Sequence, residues 1–86
     1  MTNAFTEATL KEYIQEANTK LCGYGAHYEV HADFFSGHVK LKLHSTLYDA
    51  QVRDCGTFTR PMATAFVSGL LAAEIARDYE KQLNIK

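Results

Sequence analysis

The sequence predicts an α+β domain: a three-stranded antiparallel sheet with N- and C-terminal helices packed on one face, in the order helix, strand, strand, strand, helix. Three observations carry this expectation. The apolar residues repeat with a helical period up to Leu21, the pattern switches to strict alternation between His27 and His44, and a long apolar stretch follows Pro61.

The first helix is read from Leu10, Tyr13, Ile14, Ala17 and Leu21, which fall on one stripe, with Lys11, Glu12, Gln15 and Glu16 between them. Thr6 is its expected N-cap, Glu7 favours the positive end of the helix dipole, and Phe5 is placed to staple onto Leu10. Gly23 and Gly25 mark its end.

Two strands follow. His27, Glu29, His31 and Asp33 alternate with Tyr28, Val30, Ala32 and Phe34, and after Phe34-Phe35-Ser36-Gly37 the residues His38, Lys40, Lys42 and His44 alternate with Val39, Leu41 and Leu43. A hairpin with Gly37 in its loop joins them. The expected register sets Asp33 against His38, His31 against Lys40, Glu29 against Lys42 and His27 against His44. A shift by one residue would turn the charges into the core.

A third strand is expected within Leu47 to Phe58, with Tyr48, Ala50 and Val52 inward and Asp49, Gln51 and Arg53 outward. Asp54-Cys55-Gly56 interrupts it as a bulge or turn. Thr59-Arg60-Pro61 opens the last helix. Phe66, Val67, Leu70, Leu71, Ile75 and Tyr79 form its wide apolar face, directed at the sheet. Ala65, Gly69, Ala72 and Ala76 form a narrow face that admits close approach of another helix, either the first one or that of a second copy, with the internal contact preferred.

Eighty-six residues leave room for a single domain, 1–86. With 47% hydrophobic and 12% aromatic residues, one core can form without a disulfide framework or a structural metal. Cys22 and Cys55 are therefore read as reduced thiols at element ends, each before a glycine. No signal peptide or membrane span is read, and the expected compartment is the cytoplasm. The acidic excess lies before residue 38 and the basic excess after it, but neither is large enough to advertise a phosphate-backbone partner.

The element order, the run Gly56-Thr57-Phe58-Thr59 into an alanine-rich last helix, and Ser36-Gly37-His38 in the first hairpin resemble the double-stranded-RNA-binding domain over roughly residues 6–79. The resemblance implies that both helices cover one sheet face. It also implies RNA contact through the start of the last helix, the first hairpin and the first helix. Here the last helix begins Arg60-Pro61-Met62-Ala63-Thr64, with one positive charge where that family carries a lysine cluster.

All four histidines lie between residues 27 and 44, on the polar strand face. The plain reading is a solvated surface of mixed charge, and the functional one is a protein-binding face. A metal shared by His27 and His44 is the weaker reading, since His27 and His31 are about 13 Å apart on a strand and no ligand motif assists. No nucleophile–base motif, phosphate loop or dinucleotide fingerprint occurs, so the chain is expected not to be an enzyme and no cofactor is expected.

The sequence thus points to a small non-catalytic protein-interaction module, of the kind bacterial or phage accessory and inhibitor proteins provide, with homodimerisation through the last helix as an option. Its candidate partner-binding residues are Phe35, His31, His38, Lys40, Lys42 and His44. The alternative is a degenerate nucleic-acid-binding domain of the double-stranded-RNA-binding type using Lys40, Lys42, Arg53, Arg60 and His38.

Overall fold

The computed structural model describes residues 6–84. Its elements are α1 (Glu7–Gly23), β1 (Tyr28–Phe35), β2 (His38–Ser45), β3 (Ala50–Thr59) and α2 (Arg60–Asn84). The strands form one antiparallel sheet in the order β1-β2-β3. The expected α-β-β-β-α order is the observed one.

Local chemistry sets the ends of α1. The Thr6 hydroxyl accepts a hydrogen bond from the Thr9 N–H at 3.2 Å, satisfying one of the donors a helix start leaves open. At the other end Gly25 adopts φ +82°, its N–H donates to Cys22 O at 2.9 Å, and the Ala26 N–H donates to Leu21 O at 3.0 Å. This is a Schellman closure, with buried Ala26 following buried Leu21 inward. Phe5, the expected staple, lies outside the described residues.

Leu10, Ile14, Ala17 and Leu21 of α1, Val30, Val39 and Leu41 of the sheet, and Ala63 and Val67 of α2 build the core. Both helices therefore pack on the same sheet face, as the alternation requires. Tyr13 OH and Ser68 Oγ hydrogen-bond between the helices. The edge strand β1 is tied to α1 by Asn18, whose amide donates to Val30 O at 2.9 Å and accepts from the Val30 N–H at 2.8 Å.

The hairpin register differs from the expected one by two residues. Phe35 pairs with His38, Asp33 with Lys40, His31 with Lys42 and Glu29 with His44, so His27 does not face His44 and lies before β1. The cause is a tighter turn: only Ser36 and Gly37 lie between the strands, and both have positive φ, +44° and +76°. That is the type I′ geometry whose twist matches paired strands. A shift of two preserves parity, so the residues that remain in β1 and β2 keep their predicted faces, while His27 falls outside the sheet.

The start of the third strand also differs. Leu47 and Tyr48 belong to the turn after β2, where the buried Ser45 hydroxyl accepts from both their N–H groups at 3.2 and 3.0 Å. Tyr48 and Val52 are 81% and 64% exposed, not inward. The β2–β3 ladder shifts register between Leu41 and Lys42 and between Leu43 and His44, which leaves Cys55 and Val52 as the extra residues. The Asp54 carboxylate holds the first bulge by accepting from the Gly56 N–H at 2.9 Å, where Gly56 takes φ +103°. Two bulges bend this edge strand away from the flat geometry that invites pairing with another chain.

In α2 the wide face reaches the core through Phe66, Val67, Leu70 and Leu71, but Ile75 and Tyr79 are 46% and 60% exposed. The helix simply outruns the sheet: past Glu74 it continues for roughly 15 Å with no buried residue up to Leu83. The narrow face of Ala65, Gly69, Ala72 and Ala76 is exposed along its length, so the preferred internal contact with α1 is not made. Ser68, Leu71 and Ile75 lie on the α1 side instead. Cys22 is exposed and Cys55 is half-buried, both free.

Candidate functional site

Both helices leave one sheet face open, and parity alone fills it. From β1 it receives Glu29, His31, Asp33 and Phe35, and from β2 it receives His38, Lys40, Lys42 and His44. The six predicted binding residues therefore share this face, whereas His27 is an exposed residue outside the strand.

The charges on the face are paired. Lys42 Nζ lies 2.7 Å from Asp33 Oδ2, and Lys40 Nζ lies 3.2 Å from Asp54 Oδ2. The expected Glu29–Lys42 pair is replaced, because the actual register sets Lys42 opposite His31 and within reach of Asp33; Glu29 instead accepts from His31 Nε2–H, two residues along the same strand, at 2.7 Å. Lys42 holds the Asp33 carboxyl below the usual aspartate value. The Gly56 N–H, and after it Lys40, does the same for Asp54.

His31 and His44 are diagonal neighbours and their rings stack, with centroids 4.4 Å apart and planes 16° from parallel. His44 is oriented from its far side, where Nε2–H donates to Asp49 Oδ1 at 2.9 Å. Asp49 reaches it from a turn position at φ +49°. His38 folds back on the hairpin, its Nδ1–H donating to Ser36 O at 3.1 Å. Among the described residues no group of three or more histidine, cysteine, aspartate or glutamate side chains is arranged to hold a metal ion.

Phe35 is the apolar exception. It is the last residue of β1 rather than a loop residue, it is 49% exposed, and it lies opposite His38. Its neighbour Phe34 turns to the other side, where Lys11 stands 5.4 Å from the ring centroid. Phe35 is thus a ring carried on a paired strand, with hydrogen-bonded and ion-paired polar groups around it.

A second polar cluster was not anticipated. Glu74 is buried at 7% exposure in α2, its Oε1 accepts from Tyr28 OH at 2.9 Å, and its Oε2 faces an Arg77 guanidinium nitrogen at 3.2 Å. Burial, and then the adjacent carboxylate, raise the Tyr28 phenol to about 12. The signal was present in the sequence: Ala63, Val67 and Glu74 lie on one stripe of α2, so an acid occupied a core position. A groove of about 520 Å³ beside α1, lined by Lys11, Asn18, Cys22 and Glu29 among others, holds no convergent set of reactive groups. The Cys55 thiol is pushed up by burial, away from the thiolate a nucleophile needs.

Comparison with protein-family models, with curated proteins and with solved structures yields no match to this chain. No helix among the described residues is long and apolar enough to cross a membrane.

Proposed function

We propose that this domain is a non-catalytic protein-interaction module that engages its partner through the open sheet face, with Phe35 as the anchor. The observation that carries the reading is the half-exposed Phe35 ring fixed at a strand end and surrounded by polar groups that already have partners. A buried aromatic centre with a polar rim is the usual anatomy of an energetic contact between proteins. His31, His38, Lys40, Lys42 and His44 supply the rim, and an accessory or inhibitor role suits a domain of this size.

Neutralised lysines argue against a nucleic-acid role. Phosphate binding draws its strength from free cations, and Lys40 and Lys42 each face an aspartate. The test of the double-stranded-RNA-binding resemblance is a low-salt gel shift with duplex RNA. The proposal expects no retardation there, whereas steeply salt-dependent retardation would move the reading to nucleic acid.

The positive test compares affinity capture by the wild-type domain with capture by Phe35→Ala and by a Lys40→Glu/Lys42→Glu variant. Loss of the same captured protein in both, at unchanged melting temperature, supports the sheet face as the site. Undiminished capture by both refutes it.

A further inference from the structure

The open sheet face carries its charge in a form that acidification reverses. Its charged groups come from β1, β2, β3 and the turn before β3, while both helices pack on the other side. The carboxylates of Glu29, Asp33, Asp49 and Asp54 meet the ammonium groups of Lys40 and Lys42, so with neutral imidazoles the face stands at −2. His31, His38 and His44 lie on the same face, and protonating all three brings it to +1. Carboxylates and lysines ordinarily titrate outside the interval from about pH 5 to 8, so imidazoles alone change the charge within it.

Hydrogen bonds prepare each ring for its proton. His31 Nε2–H donates to Glu29 at 2.7 Å, His44 Nε2–H to Asp49 at 2.9 Å, and His38 Nδ1–H to Ser36 O at 3.1 Å. Each bond occupies one ring nitrogen and leaves the other with its lone pair, unpartnered among the described residues. A proton arriving there becomes a cationic N–H donor for which the chain supplies no acceptor, because the carboxylates of the face are already engaged by Lys42, Lys40 and the two rings. His31 stacks on His44 at 4.4 Å and stands opposite Lys42, so the new charge gathers in one place.

Given that this face is the partner site, as proposed above, we infer that it takes an acidic protein surface and that protonation of His31, His38 and His44 switches the binding on. Three cationic donors without acceptors of their own match a set of carboxylates. While the imidazoles are neutral, the negative face repels the same partner. The Phe35 ring adds an apolar contact that acidification leaves unchanged. A phosphate backbone fits less well, since a net charge of +1 with four carboxylates still in place offers few contacts that release counterions.

The chain has no tryptophan, so a tryptophan-bearing peptide reports its own binding by fluorescence. The probe is an aspartate-rich peptide of about ten residues, whose carboxylates stay ionised at both about pH 7.5 and about pH 5.5. At constant ionic strength its dissociation constant should fall at least about tenfold on acidification, and the amides that shift in the nitrogen-15 spectrum should lie in β1 and β2. The gain should follow the ring-proton titration of the wild-type histidines. It should vanish in His31→Gln/His38→Gln/His44→Gln, which keeps a side-chain amide donor at each position. A lysine-for-aspartate peptide should show the opposite trend. Equal affinity at both pH values, with shifts on the open face, overturns the switch and leaves the partner face standing. A gain that departs from the histidine titration, or persists in the triple variant, overturns the assignment to these rings. Shifted amides confined to the helices overturn both this proposal and the partner face beneath it. Absence of binding at the lower pH overturns the acidic partner, and affinity capture then decides the face separately. Duplex RNA binding more tightly than the peptide at that pH and equal salt overturns it in favour of nucleic acid.

Discussion

Asn18→Ala removes the one side chain that hydrogen-bonds both backbone groups of Val30. The amide makes two part-buried bonds, 2.9 Å to Val30 O and 2.8 Å from Val30 N. Val30 is itself 1% exposed, so after truncation its N–H and C=O regain water only at the edge of β1. At about 1–1.5 kcal/mol for each lost bond, the expected cost is about 2–3 kcal/mol. For a domain of 86 residues this corresponds to a fall in melting temperature of roughly 10–20 °C. Urea unfolding followed by circular dichroism measures it. Asn18→Asp sharpens the test, because a carboxylate still accepts from Val30 N–H but faces Val30 O with negative charge. It should be destabilised at neutral pH and recover, relative to wild type at the same pH, once the acid is protonated and can donate. A loss below about 1 kcal/mol in Asn18→Ala, with no pH-dependent recovery in Asn18→Asp, would refute the idea that this amide fastens α1 to the sheet edge.

Three further perturbations follow from the geometry. Tyr28→Phe deprives the buried Glu74 carboxylate of its phenol donor and should cost about 1–2 kcal/mol in chemical denaturation. In the wild type the Tyr28 phenol is raised from 10.0 to about 12, so its contribution is complete below pH 10 and lost as the pH rises toward 12; a phenolate absorbance titration showing every tyrosine ionising together near 10 would contradict this. In the Ser36-Gly37 turn, Gly37→Ala should cost about 1 kcal/mol because φ is +76°, whereas Ser36→Asn, better suited to φ +44°, should raise the melting temperature slightly. Lys42→Met should return the Asp33 carboxyl upward toward its ordinary value of 3.8 in an NMR titration; since its folded value is depressed, the wild-type pair contributes above that pH and is lost as the pH falls through the lowered value.

The proposed partner role also draws on how the open sheet face is ordered. Its lysines and two of its histidines are engaged with carboxylates, which orients their side chains before any partner arrives. Ordered rim residues lose less rotamer freedom on binding, so the Phe35 ring can contribute with less entropic opposition.

The alternation from Tyr28 to His44 was by itself sufficient to assign which residues share the open face. A strand places successive side chains on opposite sides whatever its pairing, so His31, His38, Lys40, Lys42 and His44 were legible as a set, whereas Phe35, expected in the hairpin loop, joins them only because the tighter turn extends β1 to it. The cap at Thr6 and the closure at Gly25 were legible for a similar reason: both depend on groups only a few residues apart. Which residues oppose one another depended on the length of the turn, and Ser36 adopting positive φ moved every cross-strand pair by two places. The Tyr28–Glu74 bond joins residues that the chain brings together only by folding, as does the Asn18 clamp on Val30. Where α2 stops being covered was decided by the reach of the sheet beneath it. Local chemistry fixes faces and ends, because its forces act between near neighbours; partners and exposure depend on the distances the whole fold imposes.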